Sequence, residues 1–258
     1  MVRVTWETPA IMVITLDRPE RRNALNLATM IELGDALHEA SVAAGGDAAG
    51  GPGAARVVVL TGAPPAFCAG ADLDGVDGHE FRVRLSRVLQ AFTELPLTVV
   101  GAIDGPALGA GTQLAAVCDL RVATPGSRFG VPAARLGIAV DAWTVGRITQ
   151  EFSAPVARAM LLGAETFNAE RLYAAGAVHR LGSLDDALAW AAELATLAPL
   201  SIAAHKLALE RAGLPAGADA DPADPAVEQA RAAAWSSSDA EEGRRAFLAK
   251  RPPQFTGH

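Results

Sequence analysis

Cysteine is nearly absent from this chain of 258 residues: there are two, Cys68 and Cys118. Both stand in apolar segments, and neither has histidine or cysteine partners at metal-ligand spacing. Neither a disulfide nor a structural metal is therefore expected. Long hydrophobic runs are missing too. The stretch from Leu97 to Ile103 is stopped by Asp104, and that from Leu108 to Val117 contains Thr112 and Gln113, so nothing approaches the eighteen or so apolar positions of a membrane span. Positive charge is in deficit, 22 lysines and arginines against 29 acids for a net −7, which makes a poor nucleic-acid binder. The N-terminus, Met1-Val2-Arg3-Val4-Thr5-Trp6-Glu7, carries no apolar secretory core, and the cytoplasm is the expected compartment. What the chain has is apolar residues, at 50%, enough for one large domain or two.

The first half alternates β-branched runs with alanine-rich amphipathic stretches, the pattern of strands joined by crossover helices around a mainly parallel sheet. The expected strands are Val2 to Trp6, Ile11 to Leu16, Val57 to Thr61, Thr98 to Ile103, Leu120 to Ala123 and Val178 to Leu181. Between the second and third, Met30, Leu33, Leu37 and Ala40 share one helical face, with Asn26 or Thr29 as the cap. A second helix, Glu80 to Leu95, buries Phe81, Leu85, Val88 and Phe92 before Pro96 stops it. Beyond about residue 150 the helix signals dominate. Helices open at Ser153, Asn168, Ser183, Ser201 and Asp239, the last running to Lys250 before Pro252-Pro253. Residues 45–53 and 216–224 read as surface loops.

Three glycine-containing turns follow apolar strands, where an α/β protein places its chemistry. They are Asp17-Arg18-Pro19-Glu20-Arg21-Arg22-Asn23-Ala24-Leu25-Asn26, Phe67-Cys68-Ala69-Gly70-Ala71-Asp72-Leu73, and Gly105-Pro106-Ala107-Leu108-Gly109-Ala110-Gly111-Thr112-Gln113-Leu114. In the third, small residues leave backbone N–H groups uncovered just where a helix begins, so a ligand oxygen can approach them and feel the positive end of the helix dipole. Ala69-Gly70-Ala71 can supply a second N–H. The same small residues also serve tight helix–sheet packing, and pattern alone leaves the two readings open.

In type and order these segments resemble the enoyl-CoA hydratase/isomerase (crotonase) superfamily, and a further segment, Ser238-Asp239 to Phe255, is similar to that family's C-terminal signature. The resemblance implies an α/β fold: a spiral of ββα turns over residues 1–195, with a helical C-terminal trimerisation region over 196–258. It implies a coenzyme A thioester, fatty acyl-CoA or enoyl-CoA, whose carbonyl oxygen lies between the N–H groups of Ala71 and Ala110. It carries over Arg22, Ala24, Ala69, Asp72, Leu73, Gly109, Pro132, Ala133 and Leu136 as residues that bind the CoA thioester. Lys250 and Phe247 would approach the nucleotide from a neighbouring subunit, and Arg18, Arg21 and Arg22 would supply cations for its phosphates. No permanently bound cofactor is implied; the assembly would be a homotrimer or a dimer of trimers, and enzymes of fatty-acid synthesis are candidate protein partners.

The chain leaves the family pattern at the chemistry. Adding water to a double bond needs one group to take a proton and another to deliver one, and hydratases of the family use two glutamates. Those positions here read Gln113 and Ala133, and neither side chain titrates. One acid remains: Asp141, at the place where dienoyl-CoA isomerases and chlorobenzoyl-CoA dehalogenases of the family have a functional aspartate. Among Ile138, Val140, Ala142 and Trp143 it would be partly desolvated and able to shuttle a proton. It also stands at a helix start, where aspartate is a common cap. Two functions follow: a carrier that binds acyl-CoA with little or no hydration, or an isomerase using Asp141 as its single acid/base. His79 is expected in a flexible loop covering the pocket, Trp143 in the pocket wall, and His38, His179 and His205 in structural roles.

Overall fold

The computed structural model describes residues 1–45, 55–72, 78–212 and 224–258. Strand β1 (Val2–Thr8) lies antiparallel against β2 (Ile11–Leu16), and helix α1 (Leu27–Ala44) follows. Its cap is Asn26 and not Thr29: Asn26 Oδ1 accepts the Thr29 amide at 2.8 Å. Then come β3 (Val57–Gly62), α2 (Gly78–Glu94), β4 (Thr98–Ile103), β5 (Pro106–Leu108), α3 (Ala110–Val117), β6 (Leu120–Ala123) and β7 (Arg128–Gly130). A 3-10 turn, Pro132–Leu136, leads to α4 (Ala142–Phe152), α5 (Ala154–Leu162), β8 (Thr166–Asn168), α6 (Ala169–Ala174), β9 (Arg180–Leu181) and α7 (Leu184–Leu194). Helices α8 (Pro199–Ala212), α9 (Pro225–Trp235) and α10 (Ser238–Ala249) complete the chain.

Six strands form one sheet in the order β1-β2-β3-β4-β6-β9, and β5-β7-β8 form a second. In both β4-β5-α3 and β6-β7-α4 the first strand joins the large sheet and the second joins the small one, which is the expected spiral of strand–strand–helix turns. The central strands are parallel and buried on both faces, as continuous β-branched runs require. Alternate residues of β3 divide between two cores. Val58 and Leu60 pack with α1, α2 and α3, while Val57 and Val59 pack under Ala187 and Ala191 of α7.

Several sequence expectations need correction. The strand expected from Val178 shrinks to Arg180–Leu181, because the Ala177 and Val178 amides both turn back to the Leu172 carbonyl. His79 stands in the first turn of α2, not in a loop. The small sheet and α9 were not anticipated. Helix α8 begins at Pro199, two residues before Ser201. Of the two expected loops, Gly45 caps α1 and Asp224 caps α9; the remaining residues lie outside the described ones.

Asn23 locks the first glycine-containing turn in place. It adopts a left-handed φ of 57° that asparagine tolerates better than most residues. Its side chain is spent on backbone: Oδ1 accepts the Arg18 amide at 2.9 Å, and Nδ2 donates to the Ala63 and Ala66 carbonyls at 2.7 and 2.6 Å. Asn23→Ala orphans these buried groups and leaves a Cβ residue in the left-handed region. A loss of about 3 kcal/mol is expected, a fall in melting temperature of roughly 10 °C. Thermal denaturation checks it, and an unchanged midpoint would remove Asn23 from this role.

Candidate functional site

Hydrogen bonds stitch the three glycine-containing turns together. The Ala69 amide donates to Arg22 O, Leu25 N donates to Gly70 O at 2.8 Å, and Asp72 N donates to Leu25 O at 2.7 Å. On the far side of the second turn, Cys68 N donates to Pro106 O and Leu108 N to Cys68 O. The third turn is then tied to β7, with Gly109 N donating to Gly130 O at 2.9 Å. Buried Thr112 completes the seam. Its Oγ1 accepts the Gly130 amide at 3.0 Å and lies within donating distance of Ala107 O (2.6 Å) and Gly130 O (2.8 Å).

This register fixes where two amides point. Because the peptide bond is trans, a residue's N–H points opposite to the preceding carbonyl. Gly70 O faces Leu25, so Ala71 N–H faces away from it, toward the third turn. Gly109 O accepts the Gln113 amide along the axis of α3, so Ala110 N–H points out of the helix N-terminus. The two turns are in contact: Gly70 has φ of +112°, and a methyl group built on it would lie 3.0 Å from Leu108 O and 3.8 Å from Ala110 N. Gly111 is held still closer, its would-be Cβ only 2.1 Å from Cys68 O. Small residues thus let the second and third turns pack this closely. Beside them the Cys68 thiol is pushed up to about 12 by burial, which leaves it no role as a nucleophile.

Gln113 is buried in the first turns of α3, with its Oε1 3.4 Å from Thr144 Oγ1. Ala133 follows β7 by three residues and borders an apolar groove of about 500 Å³ with Ile138, Val140, Val145, Ala157 and Leu161. Trp143 lines a second cavity, of about 470 Å³, between α2, α8 and α9. Asp141 is exposed, so the expected desolvation is absent: Ile138, its apolar neighbour in sequence, turns outward with 57% of its surface in solvent. The Asp141 carboxylate caps α4, Oδ1 accepting the Thr144 amide at 2.9 Å and Oδ2 standing 3.2 Å from Thr144 Oγ1.

Of the other expected contacts, Ala24, Ala69, Asp72, Gly109 and Pro132 are partly buried along this seam, whereas Arg22 and Leu136 are exposed. Leu73 lies outside the described residues. Arg18 is not an open cation for phosphate. Its guanidinium donates to Asp72 Oδ2 at 3.0 Å and to Ala24 O at 2.6 Å, joining the first turn to the second. Lys250 and Phe247 lie exposed on α10 and its C-terminal cap, with Phe247 at 83% exposure.

Nothing in the sequence pattern announced the charges behind the site. At the C-terminal end of α3, Arg121 donates to Cys118 O (2.6 Å) and Ala115 O (3.1 Å), and Arg147 donates to Ala116 O (2.9 Å). Glu151 and Glu210 balance them. Two guanidinium groups thus cover the negative end of the helix whose positive end carries Ala110.

His179 joins this cluster. Its Nδ1 accepts the Arg121 amide at 3.1 Å, and burial of that edge, then the Arg121 charge, lower it from 6.5 to about 4. The unfolded chain therefore binds the extra proton first as pH falls, so the contribution is present above about 6.5 and lost on the way down to about 4. Much of the residue is exposed, and solvent screens the effect. In His179→Gln the melting temperature is expected to fall less steeply between those pH values than in the parent chain; parallel curves would contradict it.

Comparison with known proteins follows the same outline. Residues 7–258 match the family model described as enoyl-CoA hydratase/isomerase. The chain is 43% identical over 258 residues, all of both sequences, to the protein named probable enoyl-CoA hydratase echA6 of Mycobacterium tuberculosis. It is 33% identical over 261 residues, 96% of this chain and 95% of the relative, to the 2,3-dehydroadipyl-CoA hydratase of Escherichia coli. Among solved structures, enoyl-CoA hydratase EchA1 of Mycobacterium marinum superposes with a TM-score of 0.82 at 30% identity, covering 100% and 99% of the two chains.

Proposed function

Since the chain belongs to the enoyl-CoA hydratase/isomerase family, we propose that it binds fatty acyl-CoA and enoyl-CoA thioesters as a carrier in cytoplasmic lipid metabolism, with little or no hydration. In this reading Ala71 and Ala110 hold the thioester oxygen. Preorganised donors of this kind are worth ~3 kcal/mol each where charge develops on that oxygen, and in a carrier they hold the carbonyl in place. The observation that carries the proposal is Ala133: where a hydratase of the family has an acid, a methyl group opens onto an apolar groove of about 500 Å³. That groove suits an acyl tail, and Gln113, at the other glutamate position, does not titrate.

Arg22, Ala24, Ala69, Asp72 and Leu73 are assigned to the CoA moiety, with Lys250 and Phe247 reaching it from a neighbouring subunit. Residues 196–258 are assigned to assembly as a trimer or a dimer of trimers. Support comes from α9, which buries none of its side chains, and from Trp235, Phe247 and Leu248, each more than two-thirds exposed. A carrier of this kind would hand its acyl group to another enzyme, and enzymes of fatty-acid synthesis are the proposed recipients.

The test is calorimetric titration with palmitoyl-CoA, followed by incubation with crotonyl-CoA, 3-enoyl-CoA and dienoyl-CoA under ultraviolet observation. Saturable binding with no spectral change is expected. Hydration of crotonyl-CoA at ordinary enzyme rates would refute the proposal. Conversion of 3-enoyl- or dienoyl-CoA that Asp141→Asn abolishes would replace the carrier with an isomerase.

A further inference from the structure

The C-terminal residues double back on α10. Asp239, Glu242, Gly243 and Ala246 follow one another at helical spacings of three and four and so share one face, and the chain's own end lies along it. Asp239, 2% exposed, accepts the Thr256 amide on Oδ1 at 2.7 Å and the Gly257 amide on Oδ2 at 2.8 Å. The Ser238 hydroxyl donates to His258 O at 2.8 Å. Glu242 accepts both arms of the Arg251 guanidinium, Nη1 at 2.6 Å and Nη2 at 2.9 Å, and the Gln254 amide at 3.0 Å. Between these carboxylates the Phe255 ring packs over Gly243, where an added methyl group would stand 3.6 Å from it. Arg56, just ahead of β3, ties the segment to the body of the protein by donating to Thr256 O at 3.4 Å.

The turn that starts this return is Lys250. It holds a left-handed φ of 52° and ψ of 43°. Its amide donates to Phe247 O at 3.2 Å, and that of Arg251 to Ala246 O at 3.1 Å. Helices that end in this way favour glycine at the left-handed position, because a Cβ crowds the backbone there. A lysine in that place is strained and needs its surroundings to hold it, and strain of this kind marks positions where a side chain is wanted. What holds the turn is the next residue, Arg251, fixed at two points to Glu242. The Lys250 side chain is exposed and has no hydrogen-bond or ion-pair partner among the described residues. A cation is thus displayed at the end of α10 on a pinned backbone. In a chain of net −7 such a cation suits an anion from outside, and the ligand assigned above carries its phosphates in the nucleotide half.

We propose that Glu242, acting through Arg251, is a positioning residue for Lys250: the clasp of the C-terminal segment on α10 keeps the left-handed turn, and the turn aims the ammonium at the phosphates of a coenzyme A nucleotide bound in a neighbouring subunit. Asp239 anchors the far end of the same segment. The inference rests on the acyl-CoA reading above.

The experiment compares calorimetric affinities for palmitoyl-CoA and S-palmitoyl-pantetheine, which share the acyl chain and the pantetheine arm and differ in the nucleotide. The parent protein is expected to bind the CoA thioester more tightly. In Lys250→Gly that advantage shrinks about fivefold, the upper end for an exposed ion pair, while the melting temperature rises by roughly 2 °C as glycine relieves the turn. A merely structural role for Lys250 would give the rise in stability with the advantage intact. Glu242→Ala and Arg251→Ala each reproduce the loss with Lys250 still present, and the double variant loses no more than either one, because both remove the same contact. Unchanged binding of S-palmitoyl-pantetheine shows that these variants are folded. An undiminished advantage in Lys250→Gly, or equal affinities for the two thioesters in the parent, overturns the inference and leaves the carrier standing. An undiminished or enlarged advantage in Glu242→Ala, or the loss of both ligands alike, overturns the clasp. If the parent binds neither thioester, the acyl-CoA reading fails and takes the inference with it.

Discussion

The double variant Gln113→Glu/Ala133→Glu is expected to hydrate crotonyl-CoA on the order of a thousandfold faster than the parent protein. A positioned acid or base contributes roughly 10²- to 10⁴-fold to a proton transfer, and the two groups act on one reaction, so their contributions do not separate. Each single variant should therefore stay close to the parent rate. Room exists for both changes. Glutamate has the shape of Gln113, and Ala133 faces a groove of about 500 Å³ with an apolar lining. The groove would also keep a glutamate at 133 partly desolvated, which favours its protonated form and suits it to deliver a proton. Initial rates from the loss of enoyl absorbance, normalised to thioester binding measured on the same preparations, give the answer. A folded, thioester-binding double variant with the parent's rate would mean that the two missing acids are not what silences hydration.

The expectation at those two positions came from single residues, and single residues are where the sequence was most legible. The caps at Asn26, Asn168 and Ser183 follow from local chemistry that needs no tertiary contact. The central strands follow from β-branched runs, because burial on both faces removes any need for alternation. Where a fold depends on partners far along the chain, local pattern failed. Strands β5, β7 and β8 have three residues each, too few to carry a period. Helix α9 has no fully buried residue, and its alanine-rich sequence shows no apolar stripe. Arg18 reads as an open cation until Asp72, 54 positions later, is placed against it. Asp141 failed in the opposite way: apolar neighbours in sequence suggested burial, yet after the turn at Gly137, with φ of +68°, Ile138 and Asp141 are exposed while Val140 and Trp143 pack against the core. In the site itself the turns were visible, but the hydrogen bonds that stitch them together were not, since these depend on which carbonyl each amide pairs with.

The proposed convergence of the Ala71 and Ala110 amides on one oxygen depends on one glycine, and Gly111→Ala is expected to abolish thioester binding. A methyl group at 111 would lie 2.1 Å from Cys68 O and 2.9 Å from the carbonyl carbon that bears it. Both are backbone atoms, and the Cys68 carbonyl is already engaged by Leu108 N, so no side chain can swing aside. Either α3 withdraws or the Cys68–Ala107 pairing opens. Each movement shifts Ala110 against Ala71 by an ångström or more, and displacements of that size can cost a positioned site about 10²-fold. Overpacking of this kind costs about 1–3 kcal/mol, so the variant should remain folded by circular dichroism while its affinity for palmitoyl-CoA falls at least that far. Gly34→Ala provides the contrast. It lies inside α1 with nothing within 4 Å of the added methyl, and there the same substitution should stabilise the helix by about 1 kcal/mol and leave binding intact. The methyl group is identical in the two variants, so opposite outcomes would trace to the approach of α3 to the second turn. Undiminished binding in a folded Gly111→Ala protein would show that the two amides do not act together on one oxygen.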